Sequence, residues 1–387
     1  MKVLILTVSA GEGHNSMSRA ISNYLKETYE DVVIKQIDLF KDGPMTIKKK
    51  QAGWMVNDGY FTLVKYFIKF ANSQFERLKR RDYSKDAVTL RSTFIKPARP
   101  YVEDVINEFK PDAIFCAHTF AGIILTDLRK EGNPNALNAR VVTVVSDFDV
   151  APYTELLTEV DYIITPTDDF DDDLTKRGFD LKKRLSLGIP IQSKFGVFID
   201  QKEARRMLGI DENKDTVMLM SGGVGFGNTA KVILNLNKCQ KDFQIVCVCG
   251  RNEKLKKQLE KLKERGKIKK DITIYGFCTN VDVIMSASNV LIGKLGGLST
   301  SEAFSKYLPV ISYKKLPFQE YDNMLYLTKQ NVCEYITKNS KVYELVDGVL
   351  ENKTKYVESL EKIRRPDATK NIGDLLYCGK LKKSGQA

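Results

Sequence analysis

Lys2-Val3-Leu4-Ile5-Leu6-Thr7-Val8-Ser9-Ala10-Gly11-Glu12-Gly13-His14 opens the chain with an apolar run, a glycine turn and the start of a helical pattern. The run is short for a secretory leader and passes straight into the turn, so it reads as a buried strand. Met17, Ala20, Ile21, Tyr24 and Leu25 then recur at the spacing of one helix face. Strand, glycine turn and helix in that order is the unit of a parallel sheet with helical crossovers. Further β-branched runs repeat it at Val32–Ile37, Ala113–Cys116, Val141–Val145 and Tyr162–Thr165. The pattern restarts at Val217–Met220, Gln244–Cys249, Ile272–Tyr275, Val290–Ile292 and Val310–Ser312. Two Rossmann-like α/β domains are therefore expected, residues 1–195 and 196–366, with the boundary near Phe195. A final helix over residues 367–380 is expected to pack back on the first domain. Such sheets bind ligands outside the carboxyl ends of their strands, here across a cleft between facing domains.

Composition narrows the partners. Of 387 residues, 61 are Lys or Arg and 49 Asp or Glu, a net charge of +12 that favours an anionic partner. No apolar run approaches the roughly 20 residues that span a bilayer. The seven cysteines have no framework spacing, and the only close pair, Cys247 and Cys249, would share one strand face rather than chelate a metal. A reduced cytosolic protein without a zinc site is the expectation. No element carries a base-reading motif, which argues against nucleic acid. One stretch breaks the α/β rhythm: between Lys48-Lys49-Lys50 and Arg77, Lys79, Arg80 and Arg81 lie Trp54, Tyr60, Phe61, Tyr66, Phe67 and Phe70. Aromatic residues flanked by basic clusters suit the surface of an anionic membrane; a pair of core helices with charged ends is the plainer alternative.

Three glycine-bearing loops carry the candidate chemistry. Gly11 and Gly13 lead to His14, but Asn15 and Ser16 stand where a dinucleotide fingerprint needs its third glycine. His14 is a candidate general base or phosphate donor, or a histidine that only hydrogen-bonds its own helix N-terminus. Ser221-Gly222-Gly223-Val224-Gly225-Phe226-Gly227 lets the backbone approach a diphosphate, and no Lys-Ser/Thr completes a P-loop. Lys294-Leu295-Gly296-Gly297-Leu298-Ser299-Thr300-Ser301-Glu302 again ends a strand in glycines and opens a helix. Ser299 and Glu302 have the spacing of a capping box, and the same glycines and hydroxyls with Lys294 make an anion site. Pro317-Phe318-Gln319-Glu320-Tyr321-Asp322-Asn323 places Gln319, Glu320 and Asn323 on one loop, suited to vicinal sugar hydroxyls.

These motifs, in this order, resemble the diacylglycerol hexosyltransferases: plant galactolipid synthases and bacterial processive diacylglycerol glucosyltransferases, related to the peptidoglycan GlcNAc transferase. The resemblance runs from the G-x-G-H turn through Val248-Cys249-Gly250-Arg251-Asn252, Tyr275-Gly276-Phe277 and Asn280-Val281-Asp282 to Pro317-x-Gln319-Glu320-x-x-Asn323. It implies a GT-B fold whose C-terminal domain binds a UDP-sugar and whose N-terminal domain binds the acceptor at an anionic membrane, peripherally on the inner face. By position, Gly223 and Gly225 would approach the phosphates, and Arg251 and Phe277 the uracil. Ser299 and Thr300 would bind diphosphate, Glu302 the ribose, and Gln319 and Glu320 the hexose. The resemblance further implies inversion at the sugar, with His14 the first base candidate, Asp147 the second, and no metal or other cofactor. Two departures stand out. Ser146-Asp147-Phe148-Asp149-Val150-Ala151-Pro152-Tyr153 lacks the His and Trp that usually follow, and Phe318 replaces the glycine of the usual P-G-Q-E.

Asp147-Phe148-Asp149 also matches a manganese-binding D-x-D of a different transferase fold, while Asp168 to Asp173 reads as the first turn of a helix. Two other functions compete with transfer of glucose or galactose: a UDP-GlcNAc epimerase-like enzyme and a UDP-sugar-binding regulator without catalysis.

Overall fold

The computed structural model describes residues 1–9, 12–39, 41–43, 95–150, 153–220, 228–313, 316, 318–337 and 341–381. The aromatic and basic stretch from Lys48 to Arg81, Gly11, and the glycines Gly223 and Gly225 lie outside the described residues. The chain divides into two units, one of Met1–Ser193, Pro317–Gln319 and Arg365–Ala387, the other of Lys194–Leu316 and Glu320–Arg364.

In the first unit six parallel strands stand in the order β2-β1-β3-β4-β5-β6. They are β1 Lys2–Thr7, β2 Val33–Asp38, β3 Ala113–Cys116, β4 Arg140–Val144, β5 Tyr162–Ile164 and β6 Arg184–Leu185. Val3, Leu4, Ile5 and Leu6 are fully buried, as expected of a parallel strand covered by helices on both faces. The second unit repeats the design with the order β12-β11-β10-β7-β8-β9. Here β7 is Asp215–Met220, β8 Phe243–Val248, β9 Ile272–Tyr275, β10 Val290–Gly293, β11 Val310–Tyr313 and β12 Cys333–Ile336. The sequence reading passes over both β6 and β12. The former is two half-buried residues at an edge, and Glu334 and Tyr335 interrupt the apolar pattern of the latter.

The helices that shape the sites are α1 Glu12–Thr28, α2 Thr119–Lys130, α3 Thr229–Leu236, α4 Glu253–Glu264, α5 Gly297–Ser305, α6 Phe318–Lys329 and α7 Ala368–Cys378. Each sheet changes direction once. In the first, β1 lies between β2 and β3, so the crossovers after β1 and β3 depart to opposite sides. In the second, β7 lies between β8 and β10. The ends of β1 and β3, and of β7 and β10, are therefore the topological switch points where such sheets open a ligand crevice.

The chain returns to its first unit through α7, which packs on α1 and β3. Gly373 permits the close approach, since a Cβ there would stand 2.4 Å from the Tyr24 ring. Tyr24 and Tyr29 each donate a 2.7 Å hydrogen bond to the buried Asp374 carboxylate. The acidic run does begin a helix: Asp171, Asp172 and Asp173 form its first turn, and Arg184 pairs with Asp171.

Candidate active site

At the first switch point a small polar network holds the β1–α1 junction. Thr7 Oγ1 donates to Asn15 Oδ1 at 3.2 Å, and Asn15 Nδ2 donates to Ser9 Oγ at 3.2 Å. Ser9 in turn gives its main-chain N–H and its hydroxyl to Asp38 at the end of β2. Asn15, one residue before the third-glycine position that Ser16 fills, thus ties the end of β1 to α1 through its amide. Gly13 is not in the turn: it belongs to the first turn of α1, and a Cβ there would meet open space.

His14 also lies in that first turn, and its Nδ1 stands 2.8 Å from the carbonyl oxygen of Ala117, just past β3. A carbonyl can only accept, so Nδ1 carries the proton and Nε2 keeps its lone pair. The ring therefore does not hydrogen-bond its own helix N-terminus, which removes the plainer alternative for this residue. His118 caps α2 through the same segment, its Nδ1 accepting from Phe120 N–H at 3.1 Å, which leaves its proton on Nε2. The two imidazoles meet edge to face with centroids 4.7 Å apart. Burial lowers the pKa of His14, partly offset by its bond to Ala117. Burial and the adjacent His14 push that of His118 well down. Both shifts favour the neutral ring.

Asp147 follows β4 and receives the Ser146 hydroxyl at 3.5 Å. Its strand is not beside that of His14; β3 stands between them, which separates the two backbones by about 10 Å at the usual strand spacing. The neighbour of His14 is instead His118, to which the sequence reading gives no role. The signal is present: His118-Thr119 follows β3 as His14 follows β1, each at a strand-to-helix junction.

At the second switch point, Gly296 is the N-cap of α5. Ser299 is a helical residue whose hydroxyl donates to Gly296 O at 3.2 Å. The capping box expected of Ser299 and Glu302 is not formed, because the helix begins at Gly297, ahead of both. Lys294 Nζ stands 2.6 Å from Glu320 Oε1 in an ion pair. A Cβ placed on Gly296 would lie 3.4 Å from Lys294 Nζ and 3.7 Å from both Glu320 Oε1 and Ser299 Oγ. An ammonium, a carboxylate and a hydroxyl thus converge on a backbone with no side chain of its own. Glu320 Oε2 and Thr300 Oγ1 are buried there without a hydrogen-bond partner, a costly state that a polar ligand would relieve.

Arg251 follows β8 through Gly250, which takes φ +58°, a left-handed conformation that glycine tolerates. Its guanidinium lies 5.5 Å from the centre of the Phe277 ring, which is 68% exposed and offers a free aromatic face. Glu302 has no hydrogen-bond partner among the described residues. Burial pushes its carboxyl up to about 8, against the pull of Lys194, with Asp282 adding to the rise.

The first half of the chain, residues 14–191, matches the family model for monogalactosyldiacylglycerol (MGDG) synthase. Residues 216–372 match the model for the glycosyltransferase family 28 C-terminal domain. A processive diacylglycerol beta-glucosyltransferase of Bacillus mycoides is 26% identical over 381 residues, spanning 97% of this chain and 93% of the relative. The chain is a glycosyltransferase, similar along nearly its whole length to diacylglycerol glycosyltransferases. Among solved structures, Acinetobacter baumannii MurG superposes with a TM-score of 0.60 at 13% identity, covering 98% of this chain and 100% of the other. Anabaena Alr3699/HepE in complex with UDP gives 0.54 at 12% identity, covering 98% and 100%. The fold is GT-B.

Within this glycosyltransferase, two expectations for the Pro317–Asn323 segment are corrected. The polar residues stand in the first turns of α6 rather than on a loop, since the helix begins at Phe318, where the family's glycine is replaced. Asn323 is fully buried, and its Nδ2 donates to Leu295 O at 2.7 Å. That amide braces the Lys294–Gly297 backbone from beneath and is not available to a sugar. Gln319 and Glu320, a turn earlier, are half-buried. Cys247 and Cys249 do share a face, with sulfurs 3.9 Å apart.

Proposed function

We propose that the enzyme transfers a hexose from a UDP-sugar to diacylglycerol with inversion, using His14 as general base. The observation that carries this reading is the tautomer of His14: the Ala117 carbonyl holds Nδ1–H and leaves Nε2 unprotonated at a switch point. In the transfer, the acceptor hydroxyl gives its proton to Nε2 and its oxygen bonds to the anomeric carbon. The bond from that carbon to the diphosphate breaks, and the electron pair leaves on UDP. His118, with its proton on Nε2, is placed to donate to an oxygen near the same base. On the donor side, the N–H groups of the first turn of α5 and Lys294 meet the charge that grows on the diphosphate, so departure proceeds without a metal. Glu320 and Gln319 take hexose hydroxyls, Arg251 and Phe277 the uracil, and Glu302 the ribose. The acceptor brings the protein to a membrane. None of the described helices is long and apolar enough to cross one, and the +12 net charge suits peripheral contact with an anionic inner leaflet.

The test is release of UDP from UDP-glucose and from UDP-galactose, each with and without diacylglycerol. Lipid-dependent release establishes the transferase and names the donor. Conversion of donor without lipid points to epimerase or hydrolase chemistry, and binding without any turnover to a regulator.

Glu302 adds a pH dependence. Ribose hydroxyls donate to a carboxylate, so donor binding favours the ionised form of a group that is protonated at neutral pH. UDP-glucose, whose diphosphate has no group titrating near neutrality, is therefore expected to bind more tightly as pH rises through about 8. Binding should release a proton below that pH, and a one-unit fall in the bound-state pKa corresponds to about tenfold in affinity. Calorimetry at pH 7 in buffers of different ionisation heat would detect the proton. No release, or the same release from Glu302→Gln, would remove Glu302 from the ribose site.

A further inference from the structure

Between Glu253 and Lys270 the chain carries nine Lys or Arg against three Glu. The structure sorts them by face. Leu255 and Leu259 of α4 are buried against the second sheet. At 100° per residue, Lys254, Lys257, Lys261 and Arg265 fall on one strip roughly opposite them, with Glu253, Glu260 and Glu264 on the next strip round. All four cations are exposed, as are Lys267 and Lys269 just beyond the helix. The remaining lysines are engaged: Lys256 with Glu260, Lys263 with Ile272 O, and Lys270 with Lys241 O. None of the six exposed cations has an ion-pair partner among the described residues. From Lys254 to Arg265 the strip runs about 17 Å, with neighbouring charges closer than the roughly 8 Å screening length at physiological salt.

We infer that this ridge of the second unit docks on an anionic lipid bilayer, a contact separate from any the first unit makes. The inference rests on the reading that the acceptor is a membrane lipid. An enzyme whose acceptor lies in a bilayer gains from cations held together on a rigid helix and left unneutralised by its own carboxylates. Each such group adds attraction near an anionic leaflet and none at a neutral one.

The experiment compares the full-length protein with Lys254→Gln/Lys257→Gln/Lys261→Gln/Arg265→Gln and with a charge-matched control, Lys202→Gln/Lys231→Gln/Lys238→Gln/Lys355→Gln. Sedimentation with phosphatidylcholine vesicles, with and without phosphatidylglycerol, reads the binding. The ridge variant should lose roughly two to three orders of magnitude of affinity for anionic vesicles, while the control changes far less and neither changes on neutral vesicles. The loss should shrink as salt is raised. UDP-glucose affinity and turnover on detergent-dispersed diacylglycerol should match wild type. Unchanged vesicle binding by the ridge variant overturns the inference. So does an equal loss in the control, which would mean bulk charge alone, or binding of the ridge to a duplex RNA but not to anionic vesicles. Absence of turnover on dispersed diacylglycerol in the wild type would instead strike the lipid-acceptor reading, while vesicle binding stays measurable.

Discussion

Replacing His14 by alanine is expected to lower turnover by about 10²–10⁴-fold, the ordinary worth of a general base, with UDP-sugar affinity unchanged. The expectation follows from the imidazole's setting. Ala117 O fixes Nδ1–H at 2.8 Å, so the ring cannot rotate its lone pair away without losing that bond. The base must be unprotonated to act, so kcat/KM should fall as pH drops through its pKa. Burial lowers that pKa, placing the acid limb below the usual histidine value of about 6.5. His118→Asn offers a finer probe, because asparagine can still cap α2 through Phe120 N–H while removing the ring that packs on His14. The acid limb should then move toward the ordinary value. A His14→Ala enzyme within tenfold of wild type would exclude His14 as the base and turn attention to Asp147.

Asp374→Ala is expected to be strongly destabilising although it lies away from both sites. Its carboxylate is 2% exposed and accepts from Tyr24 and Tyr29, both at 2.7 Å, with Lys370 Nζ 3.7 Å away. Alanine leaves two phenol hydroxyls at a tight interface without their acceptor, at about 1–3 kcal/mol each. A loss of roughly 2–5 kcal/mol is a large part of the 5–15 kcal/mol typical of a folded domain. For a unit of this size it corresponds to a fall of roughly 5–15 °C in Tm. Asp374→Asn keeps the accepting Oδ1 and should retain most of the stability. The effect should reach activity as well, since α7 packs on α1, the helix that carries His14. Thermal unfolding of the two variants beside wild type decides it; an alanine variant that melts with the wild type would show that the tyrosines find other partners.

The fold was legible because parallel strands buried on both faces must be apolar along their length. Val3–Leu6 and Ile245–Val248 announce themselves without reference to anything distant. Edge strands escape for the converse reason: Arg184–Leu185 and Cys333–Ile336 are short or half-exposed and carry charge. The glycine-bearing loop after β10 was legible in its residue types, since Lys294, Ser299 and Glu320 do converge on Gly296. The roles within it were less so. Ser299 and Glu302 have capping-box spacing whether or not a glycine lets the helix start earlier, and nothing local reveals that Asn323 is spent on Leu295 O.

By itself, then, the sequence determined the repeating strand–turn–helix order, two sheets and the glycine-bearing loops, because periodicity and turn chemistry are set by neighbours along the chain. Only the tertiary structure decided which loops meet. The order β2-β1-β3 brings Ala117 and His118 against His14 across 103 residues, and so fixes which imidazole nitrogen is free to take a proton. Hydrogen-bond partners and burial are properties of strand order and packing, and a contact between distant segments leaves no period in the sequence from which to read it.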